Sequence, residues 1–76
     1  MSYVVVRFPV PREVYIDDEA QGSNMAASGK LRRLYVNAGQ HTFRLSRADD
    51  VDPAEQTLDV PERPALNPFS VEFRKC

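Results

Sequence analysis

The chain has 76 residues, with 10 Lys and Arg against 11 Asp and Glu, a formal net charge of −1 and a single cysteine, Cys76. A chain this short forms one domain, residues 1–76, and buries only roughly 60% of the surface its unfolded form exposes, which leaves little room for a large cofactor held away from water. The charge balance gives no global attraction to nucleic acid or anionic lipid, and one cysteine can neither close an intramolecular disulfide nor build a zinc site.

Six prolines and three glycines interrupt the chain, which favours short strands over long helices. The first element is "YVVVRF" (3–8), rich in β-branched and aromatic residues and ended by "PVP" (9–11), because proline cannot donate to a ladder. "REVYID" (12–17) is the second strand, with Val14 and Ile16 on one face and Glu13, Tyr15 and Asp17 on the other. "DEAQGSNMAASGK" (18–30) is polar and rich in small residues, and reads as a connection.

"LRRLYVN" (31–37) is the third strand, with Leu34 and Val36 alternating against Arg33 and Tyr35. "NAG" (37–39) signals a turn, since asparagine and glycine tolerate positive φ. "QHTFRLSR" (40–47) is the fourth strand, so strands three and four are expected to pair as a hairpin. "ADDVDPAE" (48–55) reads as an acidic loop, "QTLDV" (56–60) as a strand, "PERPALNP" (61–68) as a solvated extended segment, and "FSVEFRK" (69–75) as the last strand. Turn signals every 8–12 residues are the pattern of a sandwich or barrel. The expected fold is all-β, a small antiparallel β-sandwich of about six to seven short strands. Its core is expected to hold Val4, Val6, Phe8, Val14, Ile16, Leu34, Val36, Phe43, Leu45, Leu58, Val60, Phe69, Val71 and Phe73.

The order of "PREVYIDDEAQGS", "LYVNAGQHTFRL", "EQTLDV" and "FSVEF" resembles a PEGA domain, one of a family of short bacterial and archaeal β domains. The resemblance runs over about residues 3–74, with Gly39 and His41 on the family's hairpin turn. The chain departs from the pattern in reading "PREV" for the naming stretch and in carrying Asp18 where the family often has glycine. The resemblance implies a compact β-sandwich without a catalytic centre, of a kind often appended to surface, secreted or signalling proteins.

The sharper possibilities each meet a plainer reading. Asp17, Asp18 and Glu19 lack the carboxylate spacing of a calcium loop, and aspartates there open a turn. Asp49, Asp50, Asp52 and Glu55 lack it too, and read as a solvated loop. His41, the only histidine, reads as satisfied by local hydrogen bonds beside the Gly39 turn. "KLRRLY" (30–35) is the one basic cluster, and reads as edge-protecting charge rather than a nucleic-acid grip. Tyr3, Tyr15 and Tyr35 fall on the faces opposite the core, and with Arg33 they form the candidate partner surface. The plainer reading of these tyrosines is that they cover the outer sheet or fill the interface of a homodimer.

The expected function is therefore non-enzymatic: an interaction or structural module that binds another protein through an open sheet edge or its tyrosine-bearing face. The alternative is a carbohydrate or cell-wall binding domain that stacks sugars on the three tyrosines. No cofactor, metal, nucleic acid or membrane partner is expected. Without a signal-peptide core or a run near the roughly 18 apolar residues of a membrane span, the chain, read as complete, is expected in the cytoplasm.

Overall fold

The structure, a computed structural model, describes residues 1–76 apart from the side chain of Ala48. In chain order its strands are β1 Ser2–Arg7, β2 Glu13–Ile16, β3 Glu19–Ser23, β4 Leu34–Val36, β5 Gly39–Leu45, β6 Val51–Asp52, β7 Glu55–Val60, β8 Phe69–Glu72 and β9 Arg74–Lys75. They form a three-stranded sheet ordered β4-β1-β8, a four-stranded sheet ordered β3-β2-β5-β7 and the short pair β6-β9. The shortest dimension of the molecule is 18 Å, the thickness of two sheets packed about 10 Å apart. The all-β sandwich expected from the sequence is what the chain forms. One pairing is parallel, β8 against β1, and the short strands β3, β6 and β9 raise the count.

Alternation builds the core from both inner faces. Val4 and Val6 of β1, Leu34 and Val36 of β4, and Val71 of β8 meet Val14 and Ile16 of β2, Phe43 and Leu45 of β5, and Val60 of β7, with Phe8 and Phe73 closing one end. Leu58 and Phe69 are only partly buried at its margin, and Val51, from the acidic stretch, joins it.

Two expectations need correction. β4 and β5 are not a hairpin: β4 pairs with β1 and β5 with β2 and β7. Asn37 and Ala38 carry the chain across the sandwich instead, with Gly39 at φ 126°. Both strands point their apolar faces inward, and arching between sheets lets those faces meet.

The connection after β2 is itself a strand. β3 returns along β2 with Ile16 opposite Glu19, so Asp17 and Asp18, at φ 52° and 67°, form a two-residue hairpin turn in which both central residues have positive φ, as type I′ requires. The aspartates do make the turn expected of them.

The proline-rich segment is exposed along most of its length, as expected, with none of residues 61–68 buried, and it is tied down at its start. Ser2, fully buried, donates from Oγ to the Pro61 carbonyl at 2.6 Å and accepts from the Arg63 N–H at 3.0 Å.

Where β4 ends, Asn24 takes over the hydrogen bonding of β1. Its buried side chain donates from Nδ2 to the Val6 carbonyl at 3.3 Å and accepts from the Arg12 N–H at 2.8 Å. Its backbone bonds Arg12 and Arg32. The tail strand breaks at Phe73, which donates its N–H to the Arg7 carbonyl. β8 stays on β1 while β9 turns to β6.

Candidate functional site

Tyr3 and Tyr35 are directly opposite each other on β1 and β4, and their rings lie 4.6 Å apart at 43°. Arg33 precedes the same strand by one residue and, by alternation, shares its outer face with Tyr35. Its Nε donates to the Ala65 carbonyl at 2.6 Å, so the guanidinium reaches the proline-rich segment that runs beside β1. Val5 belongs to this outer face by alternation and lies outside the main core cluster, yet it is only 5% exposed. The face is therefore partly covered rather than a bare polar surface.

Of the exposed large apolar side chains, Met1 (55%) and Tyr35 (51%) lie by β4, while Leu66 (94%) belongs to the proline-rich segment on the other side of β1. Met1 and Tyr35 border one open groove of about 210 Å³ between β4 and β3, which also takes in Ile16, Gln21, Val36 and His41. Leu66 follows the residue that Arg33 holds.

Tyr15 lies elsewhere. It belongs to β2 in the opposite sheet, where it pairs across the ladder with Arg44. The Arg44 guanidinium sits 4.1 Å from its ring centre, a cation–π contact. The candidate residues thus divide: Tyr3, Tyr35 and Arg33 come together, and Tyr15 covers the other sheet.

His41 faces inward on β5, its ring edge-on to Phe43. Nδ1 lies 2.6 Å from the Asp17 carboxylate and Nε2 lies 2.6 Å from the Asn37 carbonyl. Both partners are acceptors, so the doubly protonated imidazolium satisfies both contacts. Its pKa is accordingly raised above 6.5, chiefly by the Asp17 hydrogen bond. The Asp17 carboxyl is held below its usual range, first by the Thr42 N–H and then by His41. The pair joins the β2–β3 turn to the β4–β5 arch, and it leaves neither ring nitrogen free to act as a base. This agrees with the local role expected of His41.

The second acidic stretch also has a structural task. Asp50 takes a two-pronged contact from Arg12, at 2.9 and 2.6 Å, with Lys75 at 3.6 Å. Arg12 further donates to the Ser46 and Arg47 carbonyls and lies over the Phe8 ring. The Arg12 hydrogen bond lowers the Asp50 pKa to about 2. Among the described residues, no group of three or more His, Cys, Asp or Glu side chains is arranged to hold a metal ion. No helix is long and apolar enough to cross a membrane. Asn24 and Arg12 escape sequence reasoning because their partners lie 12 to 38 residues away and no motif links them.

Compared with known proteins, the chain matches no family model, no curated protein and no solved structure.

Proposed function

We propose that this domain is a non-enzymatic, PEGA-type interaction module that docks another protein on the β4 side of its three-stranded sheet. One observation carries the reading: Met1 and Tyr35, two large apolar side chains left exposed, border one groove beside the edge strand β4. Tyrosine with arginine is also the composition typical of interface cores. The resemblance to PEGA domains rests on the order of sequence segments, with Gly39 and His41 on an arch between sheets instead of the family's hairpin turn. The carbohydrate reading asks for three tyrosines on one surface, and the division of Tyr15 from Tyr3 and Tyr35 between sheets weighs against it.

The test is capture from native lysate on the immobilised domain, scoring retained protein and retained polysaccharide. Protein lost with Tyr35→Ala and kept with Tyr15→Ala is the expected result. Polysaccharide retained, or capture equally sensitive to both substitutions, would count against this surface.

A further inference from the structure

The backbone of β4 makes the docking reading more specific. The Tyr3 N–H donates to the Arg63 carbonyl at 3.1 Å, on the side of β1 away from β4. Tyr3 and Tyr35 are therefore a non-hydrogen-bonded pair, the kind whose side chains approach most closely, in keeping with their ring contact. It follows that Leu34 and Val36 bond β1, while the N–H and C=O of Tyr35 project from the sheet edge. Alternation sends those of Arg33 the same way. The outward series stops at Asn37, whose carbonyl is taken by His41.

The edges of the four-stranded sheet are less open. β3 carries a register shift opposite the Glu13–Tyr15 stretch, a bulge of the sort that protects edges, and Arg32 Nη1 lies across it on the Ser23 carbonyl at 2.8 Å. β7 is bridged to the neighbouring sheet by Gln56, which donates to the Glu72 carbonyl at 2.6 Å.

Charge points to the occupant. Lys30, Arg32 and Arg33 lie in the chain that enters β4, and among the described residues none of them is ion-paired with a carboxylate. The Arg33 guanidinium turns back across β1 to the Ala65 carbonyl, which leaves Lys30 and Arg32, the latter on the Ser23 carbonyl, at this end of the edge. At the other end of the groove lie Asp17 and Glu19. A strand laid on this edge meets the positive charge of Lys30 and Arg32 where the chain enters β4, and a side chain of the strand can enter the groove between Ile16 and Tyr35. We propose that β4 accepts an extended, acidic segment of a partner protein as an added strand, held by the Tyr35 and Arg33 backbone and by the charges of Lys30 and Arg32. This rests on the interaction-module reading and names its partner class. A second copy of the chain fits less well. Two-fold pairing about Tyr35 would set Arg33 opposite the copy's Asn37, which offers no acid and whose carbonyl is already bonded.

The test is titration of the isotope-labelled full chain with a short labelled peptide of alternating valine and aspartate, and with its lysine counterpart. Tyr35→Pro deletes the outward N–H, and edge positions tolerate proline; Tyr35→Ala keeps it. The expected result is that the acidic peptide shifts the Tyr35 and Arg33 amide resonances. Its affinity should fall by about tenfold with Lys30→Glu, vanish with Tyr35→Pro and persist in weakened form with Tyr35→Ala, which removes the ring from the docking surface and keeps the N–H. A peptide N-methylated at its central residues should fail to bind, which gives the same answer if Tyr35→Pro does not fold. Equal binding of the two peptides, resonance shifts confined to other strands, or dimerisation through β4 without peptide binding would each overturn the proposal. If the peptides fail while lysate capture still depends on Tyr35, strand addition is discarded and the module reading stands.

Discussion

Asp18 holds a backbone conformation that most residues avoid. With φ at 67° in the β2–β3 turn, it occupies the second position of a tight turn where glycine is favoured, and its side chain makes only an exposed contact with Arg44 at 3.3 Å. Asp18→Gly should stabilise the domain by about 0.5–1 kcal/mol, measured by urea unfolding. Its neighbour Asp17 is different, because its carboxylate accepts from the Thr42 N–H and faces His41. His41 also sets a pH dependence. Its folded pKa lies above the ordinary 6.5, so its contribution is fully present below pH 6.5 and is lost as pH rises through the folded value. A neutral ring can donate from one nitrogen only. Melting temperature should fall as pH rises above 6.5 in the parent chain, and His41→Gln should flatten that limb.

Among the elements, the connections are held by specific polar contacts rather than by more apolar area. Asn24 ties the 24–32 segment to both β1 and the chain entering β2. Asn24→Ala strips the Val6 carbonyl and the Arg12 N–H of their partners in a buried place, which should cost about 2–4 kcal/mol, measured by urea unfolding. Arg12 and Asp50 do similar work at the other end, where the 3₁₀ turn Ala48–Asp50 leads into β6. The folded pKa of Asp50 is lowered from 3.8 to about 2. Its contribution is therefore present above pH 3.8 and is lost as pH falls toward 2. Asp50→Asn should remove much of the acid-side decline in melting temperature while leaving the His41 limb in place.

At the scale of the whole molecule, two thin sheets share a small core, and alternation alone located most of it. Val4, Val6, Val14, Ile16, Phe43 and Leu45 could be assigned inward from the period of two in their own strands. Sheet partnership was not legible, because alternation says which face is apolar and nothing about which strand lies alongside. That is why the Asn37–Gly39 turn suggested a hairpin where the chain arches between sheets. β3 was hidden because "EAQGS" has no apolar face, and its strand form comes from pairing with β2. Val51 was hidden among acids. The candidate surface was half legible: Tyr3, Tyr35 and Arg33 were correctly placed outward, but separating them from Tyr15 required the sheet assignment.

The open edge of β4 is the claim on which the functional account turns, and amide hydrogen exchange of the free chain tests it most directly. The register predicts slow exchange at Leu34 and Val36, which bond β1, and fast exchange at Tyr35 between them. Protection at Tyr35 equal to that of its neighbours would mean that β4 is already paired or covered, and would contradict the account.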